Sequence, residues 1–102
     1  MWAQLIKLRL QPGFDMTGMA DVLNRFEQPD SGLLRELFMH DTKDADSAYV
    51  LVLFESEEKA RDREQDPRRA EGQAALQELM AKALAGAPEF TDLTVVAEWA
   101  PW

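Results

Sequence analysis

The strongest pattern in the chain is the run Ala48-Tyr49-Val50-Leu51-Val52-Leu53-Phe54-Glu55, where every residue from Tyr49 to Phe54 is apolar or β-favouring. Successive strand side chains point to opposite faces, so Tyr49, Leu51 and Leu53 share one face and Val50, Val52 and Phe54 the other. A strand with one wet face alternates with polar residues instead. This one is predicted to be covered on both sides.

The other elements follow from their own periods. Residues 2–10 alternate as a strand, with Ile6, Leu8 and Leu10 on one face and Leu5, Lys7 and Arg9 on the other; Gln11-Pro12-Gly13 stops it. Met16, Met19, Leu23 and Phe26 recur at spacings of three and four, predicting a helix from a cap at Asp15 or Thr17 to about Gln28. Paired methionines in such a stripe read as adaptable core packing. A second strand runs from Leu33 to about His40. Its mixed faces, Leu33, Arg35, Leu37 and Met39 against Leu34, Glu36, Phe38 and His40, suit a sheet edge. Residues 41–47 read as a polar hairpin loop; their aspartates lack the glycine, the closing glutamate and the flanking helices of a calcium loop.

Ser56 caps a helix reaching Gln65 in which Ala60 is the one apolar residue, so it reads as solvated. Asp66-Pro67 opens a third helix to about Ala85, with Leu76, Leu79, Met80, Ala83 and Leu84 as its buried stripe. Phe90 to Trp99 reads as the last strand. Paired antiparallel with the first, it brings Trp99 near Trp2, as an aromatic pair or, with Trp102, as a reach toward a partner.

The order β-α-β-β-α-α-β predicts an α+β fold of the ferredoxin-like kind, a four-stranded antiparallel sheet with the first and third strands central. Helices cover one face of it. Covering the apolar side chains of the other face is worth on the order of 5–12 kcal/mol, an upper bound that rivals the stability of a small domain. A second copy of the same sheet supplies that cover by two-fold symmetry, so the expected partner is a second copy of the chain.

Composition narrows the function classes. The 102 residues suit one domain, and 46% hydrophobic with 29% charged residues reads as a soluble globular protein. Nineteen acidic against eleven basic residues leave a net charge of −8, which disfavours nucleic acid and anionic membranes as partners. No apolar run reaches membrane-span length, and the start Met1-Trp2-Ala3-Gln4 reads as no signal peptide. The absence of cysteine excludes disulfides and thiolate chemistry and fits the cytoplasm, the expected compartment.

Several local sequences carry a resemblance. They are Leu8-Arg9-Leu10-Gln11-Pro12-Gly13, Gly32-Leu33-Leu34, Phe54-Glu55-Ser56-Glu57-Glu58-Lys59-Ala60, Asp66-Pro67-Arg68 and Phe90-Thr91-Asp92-Leu93. On these, over nearly its whole length, the chain resembles the antibiotic-biosynthesis-monooxygenase-like proteins of the dimeric α+β barrel superfamily. The resemblance implies two sheets packed as a barrel and a small pocket in each protomer between sheet and helices. It also implies oxygenation of small phenolic or quinol-type aromatics without metal or other cofactor, in which the protein supplies a dry pocket, a base and a donor for developing charge. The haem-degrading branch uses an asparagine on its first strand and a tryptophan and histidine after its third. Here Ile6, Asp62 and Gly72 stand at those positions, so haem degradation is not expected.

The candidate base is His40, the one histidine, a residue type suited to proton transfer near neutral pH; at the end of an edge strand it also reads as an exposed polar residue. The expected pocket lining is Gln4, Ile6, Phe26, Arg35 and Tyr49. Gln4 and Tyr49 are possible donors and Arg35 a possible anion contact, though Tyr49 also reads as core and Arg35 as solvated. Two functions compete: a cofactor-independent oxygenase of a small phenol or quinol, and a dimeric protein that binds a small apolar or aromatic ligand without turning it over.

Overall fold

The structure, a computed structural model, describes residues 1–101; Trp102, expected beside Trp99, lies outside the described residues. The chain runs β1 (Trp2–Arg9), α1 (Thr17–Phe26), β2 (Leu33–Asp41), β3 (Asp44–Phe54), α2 (Glu57–Gln65), α3 (Ala70–Ala83) and β4 (Glu89–Thr94), with a 3-10 turn over Pro67–Arg69. The strands form one antiparallel sheet in the order β2-β3-β1-β4. This is the predicted ferredoxin-like α+β arrangement. The two most apolar strands sit in the centre, and the charged strand β2 lies at an edge, where charges discourage further pairing.

Register decides which side chains meet the helices. Trp2 opposes Phe54, Gln4 opposes Val52, Ile6 opposes Val50 and Leu8 opposes Ala48. Of these, Trp2, Leu8, Ala48, Val50, Val52 and Phe54 are buried, and with Leu10 and Ala60 they make the core beneath the helices. The ladder places Ala3 against Leu53, Leu5 against Leu51 and Lys7 against Tyr49 on the opposite face. That face stays open: Leu37, Met39 and Leu93, from the two edge strands, are 43%, 39% and 39% exposed.

Four local expectations are corrected. The loop expected over 41–47 is a two-residue turn at Thr42-Lys43, because its aspartates bond the backbone of the ladder end. Asp41 Oδ1 accepts from the Lys43 amide at 2.7 Å, and Asp44 accepts from the Asp46 amide at 3.1 Å and from Arg9 at 2.7 Å. The strict alternation of β2 breaks at Leu34, where a register shift between Leu33 and Arg35 marks a bulge. Leu33 consequently packs on the core, while Leu34 is left exposed. β4 ends at Thr94, opposite Trp2, so Trp99 lies beyond the ladder, 84% exposed, and Trp2 pairs with Phe54 instead, their rings 6.0 Å apart. Lastly, α3 begins only after the 3-10 turn, although Asp66 does cap that turn by accepting from the Arg68 amide at 2.9 Å.

Caps elsewhere follow the sequence. Asp15 takes the Thr17 amide and hydroxyl at 3.0 and 2.6 Å, and Ser56 takes the Lys59 amide at 3.1 Å at the start of α2. The apolar stripe of α3 is less buried than its period suggests. Ala83 is fully buried, whereas Leu76, Leu79, Met80 and Leu84 are half-buried. Leu76, Met80 and Leu84 face a space that the helices leave above the sheet.

Candidate functional site

That space is a cavity of about 340 Å³, within the range of ligand pockets. The sheet contributes Trp2, Gln4, Ile6 and Leu8 from β1, Glu36 and Phe38 from β2, and Val50, Val52 and Phe54 from β3. Met19 and Leu23 of α1 and Leu76 and Met80 of α3 close it from the helix side. These walls are largely apolar, as the core faces of the five elements must be. Besides Gln4, the polar groups are Glu36 from edge strand β2, Arg63 and Glu64 from the end of α2, and Arg69 from the turn that follows it.

The predominantly charged helix α2 can lie on an apolar sheet because its arginines fold their stems over aromatic rings. The Arg61 guanidinium stands 5.2 Å from the centre of the Trp2 ring, and that of Arg63 stands 5.4 Å from Phe54. Each is then tied to another element. Arg61 donates to Asp92 of β4 at 3.0 Å, and the Gln4 amide nitrogen donates to the other oxygen of the same carboxylate at 3.0 Å. Arg63 holds Glu27 in a two-pronged pair, with Nε 3.0 Å from Oε2; their side chains are only 13% and 19% exposed.

The charges here shift one another. Burial pushes the Glu36 carboxyl above the usual carboxylate range, with Arg63 and Arg69 opposing the rise and Glu27 adding to it. Glu27 moves the other way. Burial raises it, but bonds from Arg63 and Ser31 and the nearby arginine charges outweigh that and hold it low. Burial and then the like charge of Arg63 disfavour the Arg69 cation, which donates to the Arg63 carbonyl at a long 3.4 Å. No carboxylate among the described residues lies within 4.0 Å of it. In its ionised form Glu36, whose affinity for a proton burial raises, can accept a proton from a bound acid, and the arginines at the same cavity can stabilise the anion left behind.

The five residues expected to line a pocket are not brought together. Gln4 and Ile6 line the cavity, Gln4 with its amide nitrogen already committed to Asp92. Phe26 is absent from the walls; it packs against Gly72 where α1 meets α3. Arg35 opposes Leu53, and Tyr49 opposes Lys7, which puts both on the open face of the sheet. His40 shares the helix-side face but lies toward the hairpin, in a separate hollow with Phe14, Met16 and Thr17; its Nδ1 lies 3.0 Å from the Asp41 carbonyl. The titratable carboxyls in the main cavity are Glu36 and Glu64. No group of three His, Asp or Glu side chains among the described residues could hold a metal ion.

Sequence reasoning passed over Glu36, Arg63 and Arg69. Two of them carried a signal. Glu36 alternates with Phe38 on one face of β2, and Arg63 follows Ala60, the one apolar residue of α2, by three positions and so shares its inward face. Reading α2 as merely solvated hid that face. For Arg69, in an irregular connection, no period existed to read.

No family profile and no curated protein matches the sequence. Solved structures do match. A Chloroflexus aurantiacus protein named as a candidate antibiotic biosynthesis monooxygenase superposes with a TM-score of 0.67 at 20% identity, covering 98% of each chain. A Bordetella bronchiseptica protein with the same candidate name gives 0.71 at 15% identity, covering 94% of this chain and 97% of the other. A variant of SnoaB, a cofactor-independent oxygenase from Streptomyces nogalater, gives 0.68 at 13% identity, covering 95% and 94%. At such identities the likeness is one of fold, and the fold of this chain is that of the antibiotic-biosynthesis monooxygenases.

Proposed function

We propose that the chain is a cofactor-independent monooxygenase of a small phenolic or quinol-type aromatic, acting in the cavity between sheet and helices, in the cytoplasm. The observation that carries this reading is the half-buried Glu36 carboxyl lining the same largely apolar cavity as Arg63 and Arg69. The fold shared with SnoaB supports it. Glu36, as its carboxylate, takes the phenol proton, and the Arg63 guanidinium stabilises the phenolate. The phenolate ring then supplies the electrons, as a ring carbon bearing hydrogen bonds to one oxygen atom of O₂. The resulting hydroperoxide breaks its O–O bond; the ring carbon loses its hydrogen as a proton and becomes a carbonyl, while the distal oxygen leaves as water. One phenol and one O₂ thus give one quinone and one water, with no outside reductant.

Oxygen-electrode measurements on a panel of phenols and hydroquinones test this. Consumption above the buffer rate for at least one of them, falling about 10²-fold or more in E36Q, is the expected result. Rates no faster than buffer across the panel overturn it. Tight binding without turnover would then favour a ligand-binding protein that uses the same cavity.

We propose further that a second copy of the chain covers the open sheet face. Leu5, Leu51 and Leu53 of the central strands, with the exposed Leu37, Met39 and Leu93, make a contiguous apolar surface across all four strands.

A further inference from the structure

In a chain of net charge −8, the polar end of the cavity holds as many arginines as acids, Arg63 and Arg69 with Glu36 and Glu64. Arg63 is matched by Glu27, and the side chains of that pair are largely buried. Glu64 meets Arg61 at 3.3 Å, an arginine that it shares with Glu57 and Asp92. Glu36 is pushed toward its neutral form by burial. What remains is Arg69, half-buried at the cavity wall, with one long bond to a backbone carbonyl and no carboxylate among the described residues in reach. Glu27, Glu36 and Glu64 favour its charge from a distance, but its five donors, in a planar fork that suits a carboxylate, have no direct carboxylate partner among the described residues. The walls beyond it, Ile6, Phe38, Val52, Leu76 and Met80, suit a compact apolar body.

We propose that the cavity takes a small aromatic monocarboxylate, its ring among the apolar walls and its carboxylate on Arg69. The assignment rests on the cavity being the ligand site of the proposed function, and it narrows the phenolic substrate to a hydroxyaryl acid. Arg69 is thereby a specificity residue: it selects an acid over the equally sized neutral ester or amide.

Isothermal titration calorimetry with 4-hydroxybenzoate, its methyl ester and its amide at pH 7 tests the assignment without any turnover. The acid is expected to bind at least tenfold more tightly than either neutral analogue, and R69Q to lose most of that preference while R69K keeps it. Circular dichroism identifies a variant that fails to fold, in which case R69K and the wild-type acid-to-ester ratio carry the test. Equal affinity for acid and ester, or an unchanged ratio in R69Q, overturns the proposal. So does an ester affinity that climbs as pH approaches its phenol pKa, since the anion recognised is then the phenolate. No heat from any of the three overturns it as well. Acid-selective binding with no oxygen consumption upholds this proposal and sinks the oxygenase reading. Oxygen consumption on neutral quinols with no acid preference does the reverse.

Discussion

Glu36 is the residue on which the site's chemistry turns, and its own thermodynamics make it testable apart from activity. Its folded pKa lies above the unfolded value because burial disfavours the carboxylate. Between those two values the folded state holds a proton that the unfolded state has released. Stability is therefore fullest below the ordinary carboxylate range and falls as pH rises through the folded pKa. E36Q has no such proton to lose. Calorimetric melts should show the variant gaining on the wild type as pH increases from about 4 to about 7; a constant difference would contradict the burial argument. Glu36 was legible in part, through its alternation with Phe38. Its burial was not, since a charged residue on a predicted edge strand reads as protection against pairing. What buries it is chain distant in sequence: Arg63 and Arg69 line the same cavity. His40 drew attention through its residue type, but position decides chemistry, and the hairpin end holds it away from the cavity.

At the scale of elements, the cavity depends on how α3 is held away from the sheet. Its contact with α1 sets that spacing, and the contact is tight: a Cβ on Gly72 would stand 2.5 Å from the Cβ of Phe26. G72A would gain up to about 1 kcal/mol of helix propensity, against an overpacking cost of about 1–3 kcal/mol. The expected result is a net loss, read as a melting temperature lower by several degrees; an unchanged or raised value would show that α1 and α3 part easily. Elements with a strong period were read well. β1, β3, α1 and α2 occur where their patterns place them, apart from a residue or a few at their ends. Three of the misses share one cause. The β2–β3 turn, the bulge at Leu34 and the early end of β4 are settled by hydrogen bonds of the backbone, to aspartate side chains or along the ladder, to which a hydrophobic pattern is blind. The α3 stripe had the right period, yet half of what it predicts as packed core is cavity wall.

For the whole molecule, the double-sided strand β3 remains the organising fact. Val50, Val52 and Phe54 are buried beneath helices, and Tyr49, Leu51 and Leu53 share the open face with residues of the other three strands. If a second copy covers that face, light scattering at micromolar concentration should give a mass of two chains, and L51K, a charge at its centre, should give one. A wild-type mass of one chain would overturn the dimer. The α+β class, the sheet order and the unpartnered face were all legible in the sequence, because binary patterning of strands and helices encodes them directly. The cavity was not, because an unfilled volume is set by the distance between elements rather than by the character of any one residue.

The unequal surroundings of Trp2 and Trp99 give the molecule an optical probe of its own. Trp2 is 6% exposed, forms part of the cavity wall and lies under a guanidinium, whereas Trp99 is 84% exposed beyond the last strand. Their emission should differ accordingly, blue-shifted and sheltered from acrylamide for the first, red-shifted and readily quenched for the second. A W99F/W102F chain leaves Trp2 as its one tryptophan, so that occupancy of the cavity should become visible as a change in fluorescence, with no label attached.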